Sequence, residues 1–141
     1  AVISECARFK YEIISEDFED RGLRKTLNFG HTLGHAIEKA SRYEVGHGMA
    51  VVKGMALMFR ISAGEGWCDE SIQEAFLALI DEYGYDASID CGVDDLIEYV
   101  KADKKRSGDY IDIVIPCEMN KCKIKRLLVT ELASLLERYL R

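Results

Sequence analysis

Every histidine of the chain falls between positions 31 and 47: His31, His35 and His47. His31 and His35 are four residues apart, a spacing that puts both imidazoles on one face of an α-helix, one turn apart. His47 follows from a glycine-rich turn, "EVGHG". Three imidazoles can make a zinc site with one open position. Arg24, Asn28, His31 and His35 are spaced four, three and four. On one helix they form a continuous polar stripe of guanidinium, amide and imidazoles. Arginine makes forked hydrogen bonds to carboxylate and phosphate. Metal ligands beside anion-binding groups point to a small, polar, negatively charged substrate. The weaker readings are plain too. An H-x-x-x-H pair without the following Glu is not the H-E-x-x-H protease pattern. The acidic run Glu16, Asp17, Glu19, Asp20 reads as a solvated turn.

The elements that must position these groups follow from periodicity. Val2, Ile3, Cys6, Phe9 and Ile13 recur at helical spacing and predict a first helix that fades near Ile14. A second helix is expected over 23–43, striped by Leu27, Leu33, Ala36, Ile37 and Ala40. Gly30 and Gly34 inside it each cost about 1 kcal/mol against alanine, so they signal tight packing or close ligand approach. A third helix over 49–63 is apolar nearly all round, the pattern of a buried helix, and its Gly54 allows a neighbour to come close. Its methionines read as core. "DESIQEAFLALIDEYG" carries an acidic start, an apolar face and a terminal glycine, and predicts a helix. "GVDDLIEYVKADKK" predicts a shorter one. "YIDIVIP" alternates and is β-branched, a strand stopped by Pro116, the only proline; "KCKIKRL" is its partner across "CEMN". "TELASLLERYLR" is a final helix with Thr130 as N-cap. The expected architecture is one mainly α-helical domain over 1–141 with a small antiparallel β-hairpin.

Composition bounds the function. The chain has 141 residues, 48% of them hydrophobic, enough for a core and too apolar for disorder. Its formal charge of −6, from 19 basic and 25 acidic residues, argues against a nucleic-acid partner. Five scattered cysteines form no C-x-x-C pair, which argues for reduced thiols in a cytoplasmic protein. No signal peptide and no membrane-spanning run is read. The chain opens on Ala1 in what reads as mid-helix, so it is expected to be part of a longer protein.

"GLRKTLNFGHTLGHAIE", followed by "HGMAVVKGM" and by "DKK" at 103–105, resembles the C-terminal domain of the 3-dehydroquinate synthase family, in order along essentially the whole chain. The resemblance implies conversion of 3-deoxy-D-arabino-heptulosonate 7-phosphate to 3-dehydroquinate and phosphate, in the shikimate route to aromatic amino acids. It implies transient oxidation of a ring hydroxyl, loss of phosphate, re-reduction, ring opening and aldol closure. It implies NAD on an N-terminal Rossmann-like domain, and zinc or another divalent metal such as cobalt. By resemblance, His31 and His47 are the metal ligands of this domain, which replaces the three-histidine reading, and the third ligand is a glutamate outside the chain. His35 is then a phosphate contact, Lys10 and Arg24 hold the substrate carboxylate, and Asn28 is a polar substrate contact. Asp20 falls at an active-site glutamate, and one of Lys104 and Lys105 reaches the phosphate. Partners implied are the anionic sugar-phosphate substrate, the N-terminal domain and a second copy in a homodimer.

Two positions depart from the family pattern: Asp20 is one methylene short of glutamate, and Met49 replaces the glutamate after His-Gly. There is no G-x-G-x-x-G in the chain. Alone, it is expected to be inactive and to bind zinc weakly. The rival readings are a domain of a related sugar-phosphate cyclase, of the 2-deoxy-scyllo-inosose or 2-epi-5-epi-valiolone synthase type, and a non-catalytic helical binding module. The run Lys10, Arg24, Asn28 favours a carboxylate-bearing substrate and so separates the first rival.

Overall fold

The computed structural model describes the chain apart from residues 20, 21 and 141 and the side chains of residues 103–107. The described residues form six α-helices and a two-stranded antiparallel sheet, as the periodicity predicts. They are α1 (Val2–Glu16), α2 (His31–Ala40), α3 (His47–Gly64), α4 (Glu70–Glu82), α5 (Val93–Ser107), β1 (Tyr110–Glu118), β2 (Lys121–Leu128) and α6 (Val129–Leu140). A 3₁₀ turn, Leu23–Asn28, lies between α1 and α2.

α3 is the axis of the core. It touches α2, α4, α6 and β1, and its Ala50, Leu57, Met58 and Ile61 are almost fully buried. Leu33 and Ile37 of α2, Leu96 of α5, Ile113 and Ile115 of β1, and Leu132 and Leu136 of α6 join them in one cluster. Glycines set the closest approach. A β-carbon on Gly54 would stand 2.3 Å from the carbonyl oxygen of Gly30 and 2.7 Å from the nitrogen of Gly34. One on Gly34 would meet the Val51 Cα at 3.1 Å. The predicted tight packing therefore lies between α2 and α3, backbone against backbone.

Several boundaries differ from the sequence expectation. The helix predicted over 23–43 is two elements. Gly30 adopts φ +78°, a left-handed conformation that ends the 3₁₀ turn and lets α2 start at His31. α3 starts at His47 rather than at 49, so this histidine is the first residue of a helix and not part of a free turn. Pro116 does not stop β1. It pairs with Cys122 and is followed by a register shift before Glu118, the bulged setting in which a strand tolerates proline. Thr130 is not the N-cap of α6, which begins at Val129. There the Glu131 carboxylate accepts the Leu128 backbone N–H at 2.7 Å, reaching back over the first turn as in a capping box. The α4 signature holds: Asp69 accepts the Ser71 backbone N–H at 2.9 Å, and Gly84 takes φ +72° just past the helix end.

α1 packs mainly on the 3₁₀ turn. Of its apolar stripe only Ile13 is buried, while Val2 and Ile3 stay 77% and 87% exposed. No described helix is long and apolar enough to cross a membrane.

Candidate functional site

α2 projects His31 and His35 from one face, and the α2–α3 connection returns the chain so that His47 stands beside them. That connection is tight. Ser41 ends α2, Arg42 and Tyr43 both take positive φ (53° and 64°), and the Tyr43 N–H bonds back to the Glu38 carbonyl at 2.7 Å. Two consecutive non-glycine residues in the left-handed region are uncommon and costly, and they reverse the chain within a few residues. The outcome is a triangle of imidazoles. Ring centroids are 5.7 Å apart for His31–His35, 5.5 Å for His31–His47 and 5.7 Å for His35–His47.

These spacings suit a shared ion. With a ligand nitrogen about 2.1 Å from zinc and about 1.1 Å from its own ring centroid, two imidazoles on a tetrahedral ion have centroids about 5.2 Å apart. All three pairs come near that value, so ring separation does not choose among them. Hydrogen bonding does. The His31 Nδ1 lies 3.3 Å from the Phe29 carbonyl oxygen, and the His47 Nδ1 lies 3.0 Å from Glu38 Oε2. Carbonyl and carboxylate oxygens only accept, so Nδ1 is the donor in each contact, and in a neutral ring that leaves the lone pair on Nε2. His35 has no hydrogen bond on its ring among the described residues, and its side chain is exposed. Two histidines are thus oriented as ligands, and the third is free to donate to something else.

Among the described residues, the ligand atoms that gather closely enough to hold an ion belong to a different group: those of His35, Glu38 and His47 lie within 4.8 Å of one another. The Glu38 carboxylate, however, already accepts the His47 Nδ1 proton. A carboxylate in that position belongs behind an imidazole ligand more naturally than beside it on the ion. The donor set of His31 and His47 therefore fits a divalent cation such as zinc that takes further ligands from outside the described residues.

A cavity of about 500 Å³ opens beside this cluster, lined by Asn28, His31, Thr32, His35, Glu38, Lys39 and Tyr43, with Tyr99 and Val100 of α5 and Ile111 of β1. The structure thus brings together Asn28, His31, His35 and His47 of the residues expected from sequence. It does not bring Lys10 or Arg24 into the cavity. Lys10 is exposed on α1, and the Arg24 guanidinium donates to the Phe18 carbonyl at 3.3 Å. Asp17 accepts the backbone N–H groups of Gly22 and Arg24 at 2.8 and 2.9 Å and so ties the end of α1 to the start of the 3₁₀ turn. Asp20 and the side chains of Lys104 and Lys105 lie outside the described residues. Met49 is half-buried in the first turn of α3.

The expected single-helix stripe of Arg24, Asn28, His31 and His35 is corrected by the 3₁₀ turn. Residues four apart are rotated by about 40° in an α-helix but by about 120° in a 3₁₀ helix. Asn28 keeps company with the histidines and Arg24 turns away. Sequence reasoning gave no role to Glu38 and Lys39. Glu38 had a signal: it lies three residues after His35 and seven after His31, on the same helical face.

A family model described as 3-dehydroquinate synthase C-terminal matches residues 1–106. The 3-dehydroquinate synthase of Alkaliphilus metalliredigens (strain QYMF) is 37% identical over 143 aligned positions, which span 99% of this chain and 40% of that relative. The chain is therefore well under half the length of such relatives. A crystal structure of 2-deoxy-scyllo-inosose synthase complexed with carbaglucose-6-phosphate, NAD+ and Co2+ superposes with a TM-score of 0.79 at 20% identity, covering 97% of this chain and 40% of that one. The 2-epi-5-epi-valiolone synthase of Streptomyces hygroscopicus subsp. jinggangensis 5008, with NAD+ and Zn2+ bound, gives 0.77 at 20% identity, with the same coverage. These two likenesses concern the fold.

Proposed function

The chain belongs to the 3-dehydroquinate synthase family, and from that premise we propose that it forms the metal- and substrate-holding wall of the enzyme that makes 3-dehydroquinate and phosphate from 3-deoxy-D-arabino-heptulosonate 7-phosphate, in the shikimate route to aromatic amino acids. The observation that carries this reading is the imidazole triangle at the cavity. Two rings have Nδ1 tied to acceptors, and the third, His35, is left open.

His31 and His47 hold a divalent metal through Nε2, zinc being the first choice. Bound there, the metal supplies Lewis acidity toward a substrate oxygen. His35 donates to the substrate phosphate. Asn28, on the same cavity wall, holds a substrate hydroxyl through its amide. Lys10 and Arg24 bind the substrate carboxylate, one of Lys104 and Lys105 reaches the phosphate, and Asp20 stands in for the family glutamate. These assignments, like those of His35 and Asn28, rest on the family resemblance. The common task of these groups is to fix one conformer and to stabilise developing negative charge.

The rest of the protein, a Rossmann-like domain, holds NAD and completes the metal site. The exposed apolar residues Val2 and Ile3 on α1 support a covering domain of this kind. Residues 1–141 then act as one helical domain in a cytoplasmic, homodimeric enzyme, inactive without its other half.

The test is an assay of the full-length protein with NAD and a divalent metal, following phosphate release and identifying the ring product. The proposal expects 3-dehydroquinate, and loss of activity in His31→Ala. Turnover only of the substrates of the two related cyclases, or full activity in His31→Ala, would contradict it.

A further inference from the structure

The Glu38 side chain is only 15% exposed, although its partner His47 is 56% exposed. A carboxylate in that setting needs a hydrogen-bond donor, and the donor it has is the His47 Nδ1 at 3.0 Å. The contact joins the end of α2 to the first residue of α3 across nine positions of sequence. The strained Arg42–Tyr43 reversal and the Tyr43 N–H bond to the Glu38 carbonyl close the loop between them. A largely buried carboxylate therefore meets a more exposed imidazole and decides two things about it. It selects the tautomer with the proton on Nδ1, and it sets the direction in which Nε2 points.

We propose that Glu38 is a positioning residue for metal binding: it holds His47 as an Nε2 donor, without itself joining the metal. This inference rests on the metal role of His47 proposed above. Carboxylates behind ligating histidines commonly affect metal affinity by about 10–100-fold. Glutamine keeps an acceptor oxygen at the same reach, whereas alanine removes it.

The test uses the full-length protein, with zinc affinity measured by competition against a chromophoric chelator and the unfolding midpoint of the metal-free protein measured in parallel. Expected are a loss of about 10–100-fold in Glu38→Ala, most of it restored in Glu38→Gln, with the metal-free midpoints of both variants close to the parent. His47→Ala must lose more than either. Unchanged affinity in Glu38→Ala beside a clear loss in His47→Ala would overturn the inference and leave the metal site standing. Glu38→Gln losing as much as His47→Ala would make Glu38 a ligand and overturn it as well. A fall in the metal-free midpoint matching the affinity loss would assign Glu38 a purely structural role. Unchanged affinity in His47→Ala would instead overturn the underlying metal assignment.

Discussion

Replacing Gly54 by alanine adds one methyl group at the point where α2 and α3 touch. The added β-carbon would lie 2.3 Å from the Gly30 carbonyl oxygen and 2.7 Å from the Gly34 nitrogen, against an ordinary contact distance starting at 3.4 Å. Both obstacles are backbone, so no rotamer change relieves them, and the helices must part by about 1 Å at the crossing. Overpacking of this kind costs about 1–3 kcal/mol, and backbone obstacles place it at the upper end. Alanine returns about 1 kcal/mol of helix propensity. The expected net loss is about 2 kcal/mol, which at a urea dependence of about 1–3 kcal/mol per molar moves the unfolding midpoint down by about 1 M. Gly48 is the control: it lies in the first turn of α3, and its added β-carbon has nothing within 4 Å. Gly48→Ala should raise stability by about 0.5–1 kcal/mol. Urea unfolding of the chain, followed by circular dichroism, reads both. Because His31 rides on α2 and His47 on α3, Gly54→Ala should also weaken zinc binding by the full-length protein. A Gly54→Ala variant as stable as the parent would refute the idea that this glycine sets the helix separation.

Further outcomes concern single groups. Ser88 and Lys53 hold the Asp86 carboxyl far below the usual carboxylate range. Its folded pKa is depressed, so the stability it contributes is complete above the unfolded value of about 4 and is lost as pH falls below it. Lys53, which is buried, also donates to the Ser88 carbonyl, and urea unfolding at pH 5 and pH 2.5 should show a smaller acid loss in Asp86→Asn than in the parent. Burial pushes the thiols of Cys68, Cys91 and Cys122 up, whereas Cys6 is exposed on α1. Iodoacetamide at pH 8 should therefore label Cys6 first in this chain prepared alone, as peptide mass spectrometry will show; earlier labelling of Cys122 would contradict the packing of the hairpin. Glu131→Ala removes the acceptor for the Leu128 N–H and should cost about 1 kcal/mol in thermal or urea unfolding, with glutamine recovering part of it.

Much of this architecture is legible in the sequence because local signals agree with the tertiary outcome. α4 has its Asp69 cap and Gly84 stop, α3 its all-round apolar surface, and the hairpin its alternation. The break at Gly30 is different. A glycine in a helical pattern reads as a small penalty, and only the closeness of α3 shows that its backbone must turn there. The same break defeats the stripe argument for Arg24, since counting by four assumes α-helical rotation, whereas Asn28 and the histidines survive it. His31 and His35 are legible because α2 begins at the first of them. The roles of the three histidines are not legible from spacing, because all three ring separations suit a shared ion. Only the acceptors at Phe29 and Glu38, one of them set by a chain reversal with two left-handed residues, distinguish them.

The most direct test of the central claim is anomalous diffraction at the zinc edge from crystals of the full-length protein grown with zinc. The account predicts one strong peak within bonding distance of Nε2 of both His31 and His47, with a further ligand from outside these 141 residues and His35 off the ion. A peak between His35 and Glu38, or none near the three imidazoles, would contradict it.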